Sequence, residues 1–287
     1  MNEIELVIPA HDECGEGPLW NVTEQALYWV DIEKKLYHRL HPATGVHDIV
    51  EVGELIGVLA FRQSGGLVVA TDRGFSFYDP LKNKLEPIGD PEAGKSGTRF
   101  NDGKVDRKGR FWAGTLGDTY KNSLYRLDPD LTIHTMETGI DVSNGIGWSL
   151  DTKTMYYVDS SPALIYAYDF DLESGSIANR RVFVDHSAGP GVPDGLTVDA
   201  QGFVWTAFWG GWCLKRYDPQ GKLERTIQLP VECPTSVAFG GPDLEDLYIT
   251  SACMEIPLAE RANRPQDGNL FCVRGLAKGL PEPLFAG

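Results

Sequence analysis

Leu27-Tyr-Trp-Val-Asp31 is the first of six short runs of one kind. The others are Leu67-Val-Val-Ala-Thr71, Phe111-Trp-Ala-Gly-Thr115, Met155-Tyr-Tyr-Val-Asp159, Val204-Trp-Thr-Ala-Phe208 and Leu247-Tyr-Ile-Thr-Ser251, and their starts lie 40, 44, 44, 49 and 43 residues apart. Each is too short and too rich in β-branched and aromatic side chains for a helix, which predicts a strand. Self-similarity at a period of about 40 to 50 residues signals stacked copies of one supersecondary unit.

A second run follows each of these: Leu36-Tyr-His-Arg-Leu40, Phe75-Ser-Phe-Tyr78, Leu124-Tyr-Arg-Leu127, Ile165-Tyr-Ala-Tyr168, Leu214-Lys-Arg-Tyr217 and Leu270-Phe-Cys-Val273. Several are closed by turn dipeptides, at His41-Pro42, Asp79-Pro80, Asp128-Pro129 and Asp218-Pro219. A third element precedes each: Glu16-Gly-Pro-Leu-Trp20, Ile56-Gly-Val-Leu-Ala-Phe61, Asp102-Gly-Lys-Val-Asp106, Asn144-Gly-Ile-Gly-Trp148, Asp194-Gly-Leu-Thr-Val198 and Thr235-Ser-Val-Ala-Phe239. Every repeat therefore reads as an inner, a middle and a third strand, with room for an outer fourth. Such a unit cannot bury both sheet faces alone, but radial packing of six copies can. The prediction is an all-β, six-bladed β-propeller with four-stranded antiparallel blades around a central channel, spanning residues 1–287 as a single domain. The segment from Glu3 to Ile8 is expected to complete the last blade, beside the C-terminus.

Composition agrees. The 287 residues are 42% hydrophobic and carry 32 Gly and 18 Pro, enough turn residues for many short strands. A formal net charge of -15 offers no basic face, so neither nucleic acid nor a membrane surface is an expected partner. The opening Met-Asn-Glu-Ile-Glu-Leu has no basic stretch followed by an apolar run, and no segment is apolar over a membrane-spanning length. A cytoplasmic protein is expected, as a monomer or small homo-oligomer. Cys14, Cys213, Cys233, Cys253 and Cys272 are odd in number and lack C-x-x-C spacing, which fits reduced thiols.

The position before the inner-strand glycine reads Glu16, Ile56, Asp102, Asn144, Asp194 and Thr235 around the ring. Inner strands surround a propeller's channel, so Glu16, Asp102, Asn144 and Asp194 are expected to converge at one mouth. Buried carboxylates facing one another need a cation, protons or basic partners. Carboxylates with a carboxamide suit one divalent metal ion: calcium, magnesium or manganese, with zinc also possible. Taken singly, Asp102, Asn144 and Asp194 also read as turn residues ahead of glycine. Arg99 and Asn101 lie just before Asp102, and Arg99 reads either as a counter-ion to the acids or as a clamp for a hydroxylated or anionic ligand. No G-x-S-x-G elbow, phosphate-binding loop, dinucleotide fingerprint or H-E-x-x-H is present, which leaves the chemistry to the carboxylates and their metal.

Several stretches resemble the regucalcin (senescence marker protein), gluconolactonase and luciferin-regenerating-enzyme family. They are Gly15-Glu-Gly-Pro-Leu-Trp20, Arg99-Phe-Asn-Asp-Gly-Lys-Val-Asp106 with Ala113-Gly-Thr115, Ser143-Asn-Gly145 with Trp148-Ser149, Tyr156-Tyr-Val-Asp-Ser160, Asn179-Arg-Arg181, Pro193-Asp-Gly195 and Phe239-Gly-Gly241. The resemblance implies a six-bladed propeller that hydrolyses a sugar lactone such as gluconolactone to its aldonic acid. It implies Glu16, Asn144 and Asp194 as metal ligands, Asp194 also as general base, Arg99 and Asn101 as substrate-binding residues, and Asp102 behind the ligands or bridged to the metal by water. Regucalcin-like members carry a sugar-contacting Glu in the loop after Ala-Gly-Thr. Here that loop reads Leu116-Gly-Asp-Thr-Tyr-Lys-Asn122, so Asp118 or Tyr120 is the expected replacement. Two other readings of the site are a calcium-binding regulatory propeller and a propeller hydrolase of phosphotriesters or hydrophobic lactones. An apolar rim from Trp209, Trp212 or Met254 would favour that hydrolase.

Overall fold

The computed structural model describes residues 3–117 and 121–287. Strand pairing gives six separate four-stranded antiparallel sheets. Blade 1 runs through Gly15–Asn21, Ala26–Asp31, Leu36–His41 and Val46–Glu51; blade 2 through Ile56–Phe61, Leu67–Thr71, Gly74–Asp79 and Lys84–Gly89. Blade 3 comprises Arg99–Val105, Phe111–Leu116, Asn122–Leu127 and Ile133–Ile140, and blade 4 Ser143–Trp148, Thr154–Asp159, Leu164–Asp171 and Ser176–Asp185. Blade 5 is Val192–Val198, Val204–Trp209, Cys213–Tyr217 and Leu223–Gln228. Blade 6 takes Pro234–Gly240, Asp246–Ser251 and Leu270–Val273 from the end of the chain and its outer strand, Ile4–Ile8, from the beginning. Ile4 pairs with Val273 and Leu6 with Phe271, so the expected completion of the last blade by the first strand holds.

Six hydrophobic clusters hold the ring together, one at each boundary between neighbouring blades. Strand alternation accounts for this. In blade 4, Met155 and Tyr157 face blade 3 and join Trp112 and Leu124, while Tyr156 and Val158 face blade 5 and join Leu196 and Phe208. Because both faces are covered, the middle strands are apolar over most of their length, and this continuity is what made the repeat visible. The outer strands, such as Lys84–Gly89 and Leu223–Gln228, are largely exposed.

Buried Asp–Trp pairs tie some blades internally. Asp106 accepts from Trp112 Nε1 at 2.9 Å and Arg110 Nε at 2.6 Å, and Asp199 accepts from Trp205 Nε1 at 2.9 Å and Arg216 Nε at 3.0 Å. All five cysteines are free and buried, matching the expectation of reduced thiols. Among the described residues no helix is long and apolar enough to cross a membrane.

Beyond the last blade, the C-terminal segment crosses the end of the ring at which the inner strands finish. Gly279 donates to Leu244 O, Ala286 to Gly109 O and Phe285 to Phe61 O, while Glu282 pairs with Lys104 at 2.9 Å. The Phe285 ring is fully buried in the cluster between blades 2 and 3. The site lies at the opposite end, where the inner strands begin.

Candidate metal centre and substrate well

Each inner strand carries one extra residue relative to its middle strand, immediately inside the channel mouth. Gly15, Ile56, Phe100, Ser143, Pro193 and Pro234 sit opposite Asp31, Thr71, Thr115, Asp159, Phe208 and Ser251. The next residue in each strand therefore belongs to one layer: Glu16, Gly57, Asn101, Asn144, Asp194 and Thr235. This corrects the register read from the letters, which put Ile56 and Asp102 in that layer. In blade 3 the unpaired bulge residue is Asn101 itself, and Asp102 pairs with Gly114 one step further in.

Glu16, Asn144, Asp194 and Asp102 are only 4%, 5%, 5% and 6% exposed. Glycine lets them approach. A Cβ at Gly145 would lie 2.7 Å from the backbone O of Asp194, and one at Gly195 would lie 2.0 Å from Ser236 Oγ. Two middle-strand aspartates hold the segments that lead into the site. Asp31 accepts from the N–H of Glu13 at 2.9 Å and of Cys14 at 3.2 Å, and Asp159 from those of Asp141 at 3.3 Å and Val142 at 3.0 Å. Both close runs that the repeat picked out, yet their role depends on chain paths that no run of letters displays.

The electrostatics are those of an uncompensated acidic cluster. Burial, then the charges of Asp194 and Asp102, push the Glu16 carboxyl well above the usual carboxylate range. Burial, then Asp102, does the same to Asp194. Asp102 is raised to about 6, chiefly by burial, with the Gly103 N–H and Lys104 pulling it back. Among the described residues none of the three forms an ion pair. Their carboxylates accept only from the N–H of the following glycine, as Glu16 does from Gly17 at 2.6 Å and Asp102 from Gly103 at 2.6 Å. Hard oxygen donors buried together, with no salt bridge to the three acids among the described residues, are of the kind that could hold a divalent cation, and Glu16, Asn144 and Asp194 are the candidate ligands.

A cavity of about 500 Å³ opens above the cluster. Polar Arg99, Asn101, Ser160, Ser161 and Glu255 line it together with apolar Leu116, Val142, Val192, Trp209 and Met254. Arg99 donates from Nη1 to Asn101 Oδ1 at 2.8 Å and to Phe100 O at 3.1 Å, and its Nη2 lies 3.9 Å from Glu33. It thus lies beside the well without a salt bridge to the three acids, while its charge still pulls the Glu16 carboxyl down. Trp209 and Met254 reach the rim; Trp212 does not line the well and stacks against Arg264, whose guanidinium carbon is 5.2 Å from its ring. The segment after blade 6's middle strand is anchored by Arg261, which pairs with Glu13, and by Arg264, which pairs with Glu232 and Asp267. Asp118 and Tyr120 lie outside the described residues. Sequence reading missed Ser160, whose hydroxyl joins Asn144 to the strand bearing Asp194.

Fold and site together define a six-bladed propeller with an acidic, oxygen-lined well at one mouth of its channel. The chain belongs to the SMP-30/Gluconolactonase/LRE-like family, whose model matches residues 14–253. It is 40% identical over 252 residues to the pentonolactonase XacC of Haloferax volcanii, covering 87% of this chain and 85% of that one. It is 38% identical over 292 residues to a 6-deoxy-6-sulfogluconolactonase of Pseudomonas putida, covering 100% of both. Among solved structures it is similar to a calcium-binding protein, regucalcin, from Agrobacterium tumefaciens. There the TM-score is 0.95 at 28% identity, over 99% of this chain and 97% of that one.

Proposed function

We propose that this protein hydrolyses a sugar lactone to the open-chain aldonic acid at the well formed by Glu16, Asn144, Asp194, Arg99 and Asn101, with a divalent metal bound there. The observation that carries the reading is a buried carboxylate cluster that forms no salt bridge among the described residues, set directly beneath a cavity of about 500 Å³. Two lactonases at 38% and 40% identity support the reaction class.

A bound divalent cation would supply Lewis-acid polarisation of the ring carbonyl. Beside that charge the Asp194 carboxylate stays ionised and takes a proton from the attacking water. The same proton then passes to the ring oxygen as the acyl C–O bond breaks, so the product is a hydroxy acid. Arg99 and Asn101 orient the sugar hydroxyls, replacing a random encounter by a positioned one. The apolar wall of Trp209 and Met254 packs the less polar face of the ring and keeps bulk water out.

Proton release from glucono-, xylono-, galactono- and arabinono-lactones, with and without chelator, tests the proposal. Turnover that survives complete metal removal would sink it. The apolar wall also favours a second reading, in which the preferred lactone carries an alkyl chain instead of hydroxyls. Higher kcat/KM on alkyl lactones than on every aldonolactone would select that reading. Tight calcium binding with no hydrolysis of either class would point to a calcium-binding role.

A further inference from the structure

One hydrogen-bonded chain crosses three blades at the mouth of the well. Arg99 Nη1 donates to Asn101 Oδ1 at 2.8 Å, Asn101 Nδ2 to Asn144 Oδ1 at 3.0 Å, Asn144 Nδ2 to Ser160 Oγ at 2.8 Å, and Ser160 Oγ to Pro193 O at 2.7 Å. The ends dictate its direction. A guanidinium can only donate and a backbone carbonyl can only accept, so every group between them must accept from one side and donate to the other. Ser160 has one hydroxyl proton, which goes to Pro193 O. What faces its oxygen from Asn144 must then be the Nδ2 amide, and Oδ1 is turned the other way.

Ser160 is itself held on both sides. It is buried, and its N–H donates to Val142 O at 3.0 Å, on the segment leading into blade 4's inner strand. Its second contact, Pro193, immediately precedes Asp194. One hydroxyl thus grips both the carboxamide of blade 4 and the backbone that carries the carboxylate of blade 5.

We infer that Ser160 is a positioning residue for the metal site: it selects the Asn144 rotamer that presents Oδ1 to the cation and sets the spacing between Asn144 and Asp194. This rests on the metal reading given above. Without the hydroxyl, Asn144 Nδ2 loses its acceptor and the carboxamide can turn its N–H groups toward the cation, where they repel it. Supporting partners of this kind are worth about 10- to 100-fold in metal affinity.

The test is calorimetric titration of calcium and of manganese, each alone, into chelator-stripped wild type, Ser160→Ala and Ser160→Thr, with metal-free Tm recorded for each. Ser160→Ala should weaken binding by about 10- to 100-fold, with a metal-free Tm that falls less than the metal-loaded one, and Ser160→Thr, which keeps the hydroxyl, should recover most of the affinity. Equal affinity in wild type and Ser160→Ala would overturn the inference alone. So would a Thr variant no better than Ala, or a metal-free Tm that drops in Ser160→Ala as far as the metal-loaded one. A wild-type protein that binds neither ion would overturn the metal reading and this inference with it.

Discussion

Asn101 donates a hydrogen bond from Nδ2 to Oδ1 of Asn144, at 3.0 Å, across the boundary between blades 3 and 4. The side chain that lines the well beside Arg99 therefore also fixes a side chain on its acidic floor. Under the proposed function, substrate orientation and metal coordination share a strut, so a change at either residue is expected to disturb both.

Replacing Asn101 by Asp separates that dual role from simple truncation. The variant turns a donor into an acceptor against Asn144 Oδ1 and Ser143 O and leaves both carbonyls unmatched. An uncompensated buried acceptor costs about 1–3 kcal/mol. Steady-state assays should show kcat/KM reduced by about 10- to 100-fold, with metal affinity also weakened. A loss confined to KM with unchanged metal binding would show that Asn101 acts on substrate alone.

Asp194→Asn should abolish most turnover, by about 100- to 10,000-fold if the carboxylate is the general base. The stability of the metal-free protein should move the other way. The substitution removes one charge from a buried cluster whose members raise one another's proton affinity. Calorimetry without metal at pH 7.5 or above should give a Tm higher by about 2–4 °C, the shift made by about 1 kcal/mol in a chain of this size.

The cluster also gives the metal-free protein an inverted pH profile. Glu16, Asp194 and Asp102 hold protons in the folded chain at pH values where the unfolded chain has lost them, since burial and mutual repulsion raise all three. Stability from these groups is full below the ordinary carboxylate range and declines as pH rises through their raised values, about 6 for Asp102. Saturating metal should remove the decline and add about 2.7 kcal/mol at a hundredfold excess over Kd. Urea melts at pH 5 and pH 8, with chelator and with metal, measure both effects. Chelated protein that is more stable at pH 8 than at pH 5 would contradict the assignment.

Phe285 anchors the C-terminal segment in the cluster between blades 2 and 3. Phe285→Ala should cost about 3–5 kcal/mol in equilibrium unfolding, in the range for a fully buried ring. Because the segment crosses the end of the channel remote from the well, kcat at temperatures below the transition should change little.

The ring was legible because each middle strand is apolar on both faces, so a run such as Met155-Tyr-Tyr-Val-Asp159 stands out from its surroundings. The last blade's borrowed strand followed from closure alone. The site was legible less evenly. Asp102-Gly103 looks like Asp194-Gly195 on paper, but the extra residue that bends the strand falls on Asn101 in blade 3, and only backbone pairing reveals that. Asp31 and Asp159 were visible as endings of two repeats, without any sign that they clamp the turns ahead of Glu16 and Asn144. Ser160 gave no signal beyond its place in a family-like stretch, because its importance comes from a carbonyl on the neighbouring blade.

Ile4 finds its partner at Val273, almost the full chain away. The strand Ile4–Ile8 has no partner until Leu270–Val273 has been made, so the last blade is the one that cannot close from a single continuous run of sequence. Contacts this remote in sequence are slow to form, and an unpaired strand invites pairing with other chains. Glu5 within that strand, and Glu3 just ahead of it, set negative charges beside Ile4, Leu6 and Val7 and make it a poor template for such pairing.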